Sequence, residues 1–183
     1  MRCDLLKPPF VVFDFETTGF NPYQDEVIEY GGIKVAEDGH IQAVFHEFGR
    51  PFRKQVPERI YQLTGIRPED ISAAKDTRLV MAAFLSFIGD LPVVGHNVSF
   101  DVSFIKAKLN NGPFLNKQMD TLKLARNAFP QFQKHSLPYL TKVFNLPVRQ
   151  EHSAEDDAFR TYCLYQIIAG QQDGGLFGKE LYS

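Results

Sequence analysis

The sequence predicts an α/β fold: one domain built on a mixed, five-stranded sheet with helices on both faces. Three observations predict it. The run Phe10-Val11-Val12-Phe13 is rich in β-branched and aromatic residues and short enough for a buried strand. Two further strand-like segments, Val27 to Val35 and Ile41 to Phe48, flank the turn Glu37-Asp38-Gly39-His40 and read as a hairpin beside the first strand. Beyond the hairpin, strand and helix alternate, as parallel strands joined by helical crossovers do.

Taken in order, the first strand spans Pro9 to Glu16 and the hairpin follows. Pro57 precedes a short helix from Glu58 to Leu63, and Thr77 to Ile88 has helical spacing. Pro92-Val93-Val94-Gly95 resumes a buried strand before a helix from Ser99 to Asn110. A short strand at Gln118-Met119 leads to helices over Leu122 to Phe129, Leu137 to Phe144 and Ala154 to Ile168. Residues 170–183 lose periodicity and read as a flexible tail or linker after a domain over residues 1–169.

A chain of 183 residues is the size of one domain and can bury its core without disulfides. Cys3 and Cys163 form neither a disulfide framework nor a metal-ligand spacing, which favours a reducing compartment. No apolar run approaches the roughly 20 residues of a membrane span, and Met1 to Lys7 lack a signal-peptide core. The expected location is cytoplasmic. A net charge of −2 disfavours binding nucleic acid by a broad basic face. It is compatible with clustered carboxylates that meet a phosphate through divalent ions.

Asp14 and Glu16 end the first strand in Phe13-Asp14-Phe15-Glu16-Thr17-Thr18-Gly19. Residues two apart in a strand share a face, so the two acids project together. Such a pair either is a solvated turn or holds a hard cation between its oxygens. Asp101, in Gly95-His96-Asn97-Val98-Ser99-Phe100-Asp101, can reach the same sheet edge or serve as a first-turn acid of its helix. In His152-Ser153-Ala154-Glu155-Asp156-Asp157-Ala158 the two aspartates differ. Asp156 sits where a capping-box acid would answer Ser153, whereas Asp157 shares the face of Ala154, Ala158, Thr161 and Leu164 that should turn to the core. A carboxylate there needs a partner, which a metal at the sheet edge would provide. His152 precedes this helix and is either a surface residue or part of the same site. Asp120 reads as a helix cap, and His40, His46 and His135 as ordinary residues without an acidic cluster.

Together these segments resemble the three exonuclease motifs of the DEDDh family of 3′→5′ exonucleases, in particular its proofreading members that serve bacterial DNA polymerase III, of epsilon and PolC type. The resemblance covers residues 9–169 and includes Leu63-Thr64-Gly65-Ile66. It implies a ribonuclease H-like fold and two divalent cations, Mg²⁺ or Mn²⁺, held by Asp14, Glu16, Asp101 and Asp157. His152 is implied as general base, and its being a histidine rather than a tyrosine marks the histidine branch. Thr17, Thr18 and Gly19, with His96, Asn97 and Phe100, are implied to hold the terminal nucleotide of a single strand, DNA ahead of RNA. Phe100 can serve either by stacking on a base or as a core residue. A DNA polymerase is the implied partner. An RNA exonuclease of the ribonuclease T or oligoribonuclease type shares the motifs, and a silent nucleic-acid-binding module is a third reading. Retention of the four acids and His152 speaks against the last, because a binder has no use for a costly charge cluster.

Overall fold

Successive residues of the first strand enter different layers, and this alternation organises the molecule. The computed structural model describes residues 5–109, 112–149 and 153–172. Strand β1 (Phe10–Thr17) sends Phe10 and Val12 into one apolar core and Val11, Phe13 and Phe15 into another. Strands β2 (Val27–Val35) and β3 (Ile41–Arg50) continue as an antiparallel meander. The turn between them uses Gly39 at φ 88°, a conformation that costs a glycine little.

Helices α1 (Glu58–Thr64) and α2 (Pro68–Ala73) lead to the two-residue strand β4 (Lys75–Asp76). Gly65, at φ 69°, ends α1 in a left-handed cap. Then come α3 (Thr77–Ile88), β5 (Val93–Gly95), α4 (Ser99–Lys108), β6 (Gln118–Asp120), α5 (Thr121–Ala128), α6 (Leu137–Phe144) and α7 (Ala154–Gln172). The sheet has six strands in the order β4-β3-β2-β1-β5-β6. Its β1–β5, β5–β6 and β3–β4 pairs are parallel.

The expected α/β class and mixed sheet are present, but the strand count is six rather than five. The additional strand is β4, and both it and the preceding α2 are too short to display a periodicity. Helix α7 continues past Ile168 to Gln172, and residues 173–183 of the expected tail lie outside the described residues. No described helix is long and apolar enough to cross a membrane.

Helices α5, α6 and α7 cover the face that holds Phe10 and Val12, and α3 and α4 cover the other. Helix α7 lies unusually close to the sheet. A Cβ built on Gly31 of β2 would stand 2.1 Å from the backbone of Ala154, the first residue of α7. Only a glycine admits the helix at that distance. We therefore expect Gly31→Ala to lower stability by about 1–3 kcal/mol, the range for overpacking a filled site. Urea unfolding checks this, and a loss below about 0.5 kcal/mol would mean that the helix lifts off freely.

Candidate active site

Asp14 and Glu16 have the parity of Phe10 and Val12, so they lie on the side of the sheet that α7 covers. Asp157 stands in the first turn of α7, beside the buried Ala154, Ala158 and Thr161. One oxygen from each of these three acids lies within 4.8 Å of the others. The donors are hard oxygens from two facing elements, a set that suits Mg²⁺ or Mn²⁺. The three residues fit a divalent cation on that chemistry.

Asp101 reaches the group from the opposite layer. It is buried in the first turn of α4, and its Oδ1 accepts the Phe15 N–H at 3.1 Å. It is not among the three acids whose oxygens converge, yet it stands close enough to push up the Asp14 carboxyl. Burial, then the charges of Asp101, Asp157, Glu16 and Glu29, hold Asp14 well above the usual carboxylate range. Burial, followed by Asp157, Glu29 and Asp101, pushes Glu16 to about 8. Asp101 is also pushed to about 8, chiefly by burial, despite the backbone N–H groups that it accepts.

Around this core the remaining residues divide. Thr18 is fully buried and serves the β1–β2 connection: its N–H donates to the Glu26 carbonyl at 2.9 Å and its hydroxyl to Asp25 Oδ1 at 3.1 Å. Thr17 donates its hydroxyl to the Gly19 carbonyl at 2.7 Å, and a Cβ on Gly19 would stand 2.5 Å from the Asp25 carboxylate. Asn97 is exposed at φ 65°, its N–H donating to Asp120 Oδ1 at 2.9 Å. Asp120 also accepts the Leu122 N–H at 3.0 Å, so it caps α5 as expected. His96 shares a hydrogen bond with Thr121 Oγ1 at 3.0 Å, and burial depresses its imidazole to about 4. Phe100 is half-buried, and its ring meets those of Phe104 and Phe20 edge to face. His152 lies outside the described residues.

One expectation is incomplete and another needs correction. Ser153 does more than stand before the helix, since its hydroxyl donates to Glu29 Oε1 at 3.0 Å, a contact that the capping-box expectation did not include. Asp156 has further partners of its own: it is buried, accepts the Arg149 N–H at 3.1 Å and pairs with Arg160 at 3.5 Å. His46 is not an ordinary sheet residue. Its Nε2 lies 2.8 Å from Glu29 Oε1, and its Nδ1 lies 3.4 Å from Glu155.

Sequence reasoning missed Glu29, Arg160 and Phe20. Glu29 pairs directly opposite Glu16 and is 2% exposed. The signal was a charge at an inward position of the apolar strand Val27–Val35. Arg160 is buried and pairs with Asp157 as well as Asp156, so Asp157 carries a protein counter-ion in addition to any metal. Its spacing of three and four residues from the two aspartates was the available clue. Phe20, 87% exposed directly after Gly19, could have been marked only as an apolar residue in a polar turn.

An exonuclease family model matches residues 11–165. The chain is 36% identical to the PolC-type DNA polymerase III of Staphylococcus haemolyticus over 177 residues, covering 94% of this chain and 12% of that protein. Against the PolC-type polymerase of Clostridium perfringens it is 38% identical over 154 residues, covering 83% of this chain and 10% of the relative. The chain thus spans about a tenth of the length of these relatives. Among solved structures, Escherichia coli exonuclease I in complex with a dT13 oligonucleotide superimposes with a TM-score of 0.77 at 20% identity, covering 90% of this chain and 42% of that one. Exonuclease X in complex with 5′ overhanging duplex DNA gives a TM-score of 0.71 at 22% identity, covering 91% and 94% of the two chains. These last likenesses concern the fold.

The raised carboxyls fix a pH dependence. A group whose folded pKa exceeds its unfolded value holds a proton that the unfolded chain has released, so stability falls as pH rises between the two. For Glu16 that window runs from 4.5 to about 8, and for Asp101 from 3.8 to about 8. His46, raised above 6.5 by its bond to Glu29, acts in the same direction at the upper end. Chelator-treated protein should therefore melt at a lower temperature at about pH 8 than at about pH 5, and added Mn²⁺ should recover more stability at the higher pH. Thermal unfolding checks both, and an Mn²⁺ effect that is larger at low pH would contradict the assignment.

Proposed function

The chain belongs to the exonuclease family, and on that premise we propose that it hydrolyses single-stranded DNA from the 3′ end, releasing nucleoside 5′-monophosphates, in proofreading or repair. The observation that carries the proposal is the convergence of Asp14, Glu16 and Asp157, drawn from β1 and α7, within 4.8 Å. In this reading Asp14, Glu16, Asp101 and Asp157 hold two divalent cations, Mg²⁺ or Mn²⁺. When bound, such ions stabilise the attacking and leaving oxygens of an in-line displacement. Asp14 and Glu16 face the substrate from the sheet edge, and Asp101 keeps the β1 backbone in place through Phe15. His152 takes the proton of the attacking water, a task that suits a neutral imidazole near neutral pH.

The terminal nucleotide is held by Thr17, Thr18, Gly19, His96, Asn97 and Phe100. Thr18 and His96 contribute by shaping the backbone, since the Thr18 N–H and hydroxyl and the His96 Nδ1 already bond within the protein. Phe100, with Phe20 beside it, offers the aromatic surface on which a base stacks. The resemblance to PolC-type polymerases supports DNA over RNA and a polymerase as partner. End-labelled DNA and RNA single strands of equal sequence, digested with and without Mg²⁺, test the proposal. Faster loss of RNA would favour the ribonuclease reading. Equal digestion of circular and linear strands would sink the exonuclease reading.

Asp157→Ala is expected to abolish activity. Asp156→Ala should keep most activity per folded molecule and lose about 1–3 kcal/mol of stability, because Arg160 loses one of its buried partners. Equal loss of turnover from the two variants in folded protein would refute the division of roles. His152→Ala should lower turnover by about 10²–10⁴-fold while calorimetry finds Mn²⁺ affinity nearly unchanged. The acid limb of the wild-type pH–rate profile should vanish or move with it. A His152→Ala protein that loses metal as Asp14→Ala does would make the histidine a ligand instead.

A further inference from the structure

Glu29 is a buried acid that no part of the chemistry above uses. It lies directly opposite Glu16 on β2, 2% exposed, on the side of the sheet facing α7. Like charges opposite each other across a strand pair are destabilising, so the residue has to be held by something that offsets the repulsion. Its Oε1 accepts two hydrogen bonds, from Ser153 Oγ at 3.0 Å and from His46 Nε2 at 2.8 Å. Its Oε2 is buried and has no hydrogen-bond partner among the described residues.

Ser153 immediately precedes α7. Its carbonyl accepts the Asp157 N–H at 2.8 Å, so the hydrogen bond from Ser153 to Glu29 and the first helical bond of α7 form one chain of contacts from β2 to Asp157. His46 closes the arrangement from β3, reaching Glu29 with one ring nitrogen and Glu155 of α7 with the other. Gly31, two residues along β2 from Glu29, lets the helix start sit flush at that point.

We propose that Glu29 is a positioning residue: through Ser153 it fixes the first turn of α7, and so Asp157, at the distance from Asp14 and Glu16 that a divalent cation requires. It touches neither the ion nor the nucleic acid. The role rests on the exonuclease reading for its catalytic consequence and on geometry alone for its structural one. Partners that orient metal ligands from behind typically contribute 10–100-fold in metal affinity or activity.

The test uses the full chain and compares Glu29→Ala, Glu29→Gln, Ser153→Ala and the double variant Glu29→Ala/Ser153→Ala. Glu29→Gln keeps the accepting oxygen, removes the charge and places its amide nitrogen at the atom that has no partner among the described residues. It should hold Mn²⁺ affinity and kcat within about threefold of wild type, whereas Glu29→Ala should lose about 10–100-fold in Mn²⁺ affinity and in kcat with KM little changed. Ser153→Ala should lose nearly as much, and the double variant no more than Glu29→Ala, because both break one link. Amide exchange at Asp157 should quicken in the alanine variants and stay slow in Glu29→Gln. Multiplying losses in the double variant, or a glutamine variant as poor as the alanine one, would overturn the proposal. If the wild type proves to have no nuclease activity, the proposed function fails while Mn²⁺ titration and amide exchange still decide the role of Glu29.

Discussion

The backbone of α7 rests on β2 at Gly31, where a single methyl group would stand 2.1 Å from Ala154, and the acid cluster hangs from that contact. Asp14 and Glu16 come from the sheet and Asp157 from the helix, so their separation is the separation of two layers. Ordinary side chains between a helix and a sheet hold the layers apart. At Gly31 there is none, and short acids on both sides can reach one point.

The same closeness makes the region electrostatically demanding. Glu16 faces Glu29 across the strand pair, Asp14 lies two residues from Glu16 on the same strand, and Asp101 closes in from the other layer. Burial is the largest contribution to the raised carboxyls, and mutual repulsion adds to it. Among the described residues Arg160 is paired with Asp156 and Asp157 on the helix side. Nothing comparable among the described residues serves Asp14 and Glu16. This asymmetry is the physical reason for placing a cation at the sheet edge rather than along the helix.

Much of this was legible in the sequence where a local pattern carries the information. The apolar run ending in Asp14 and Glu16 gave both the strand and the shared face, since a two-residue spacing in a strand settles direction without reference to the rest of the chain. The periodicity around Asp157 set it on the face of α7 that turns toward Asp14 and Glu16, but it did not foresee that Asp156 is the more deeply buried of the two or that Arg160 pairs with both. What stayed hidden depends on contacts between distant segments. Glu29 and Ser153 are separated by 124 residues, and His46 meets Glu29 across the meander, so no window of sequence joins them. Strand β4 was missed because a two-residue strand exists only by virtue of its neighbour β3. Gly31 was visible as a glycine in a strand, a hint of close backbone approach, but not of what approaches.

The order of elements along the chain also dictates when this constellation can exist. Strand β1 is the first described strand of the domain; it can pair at once with β2, and β2 with β3, since the connections are short. Asp157, the companion of its two acids, comes from α7, the last described element, so within this domain Asp14 and Glu16 are made well before Asp157. Domains generally form as units during translation, and a contact between the first strand and the last helix is the slowest kind to close. Within this domain, β1 therefore carries two of the three converging acids while nearly every other described element is made, and the group is complete only when α7 docks.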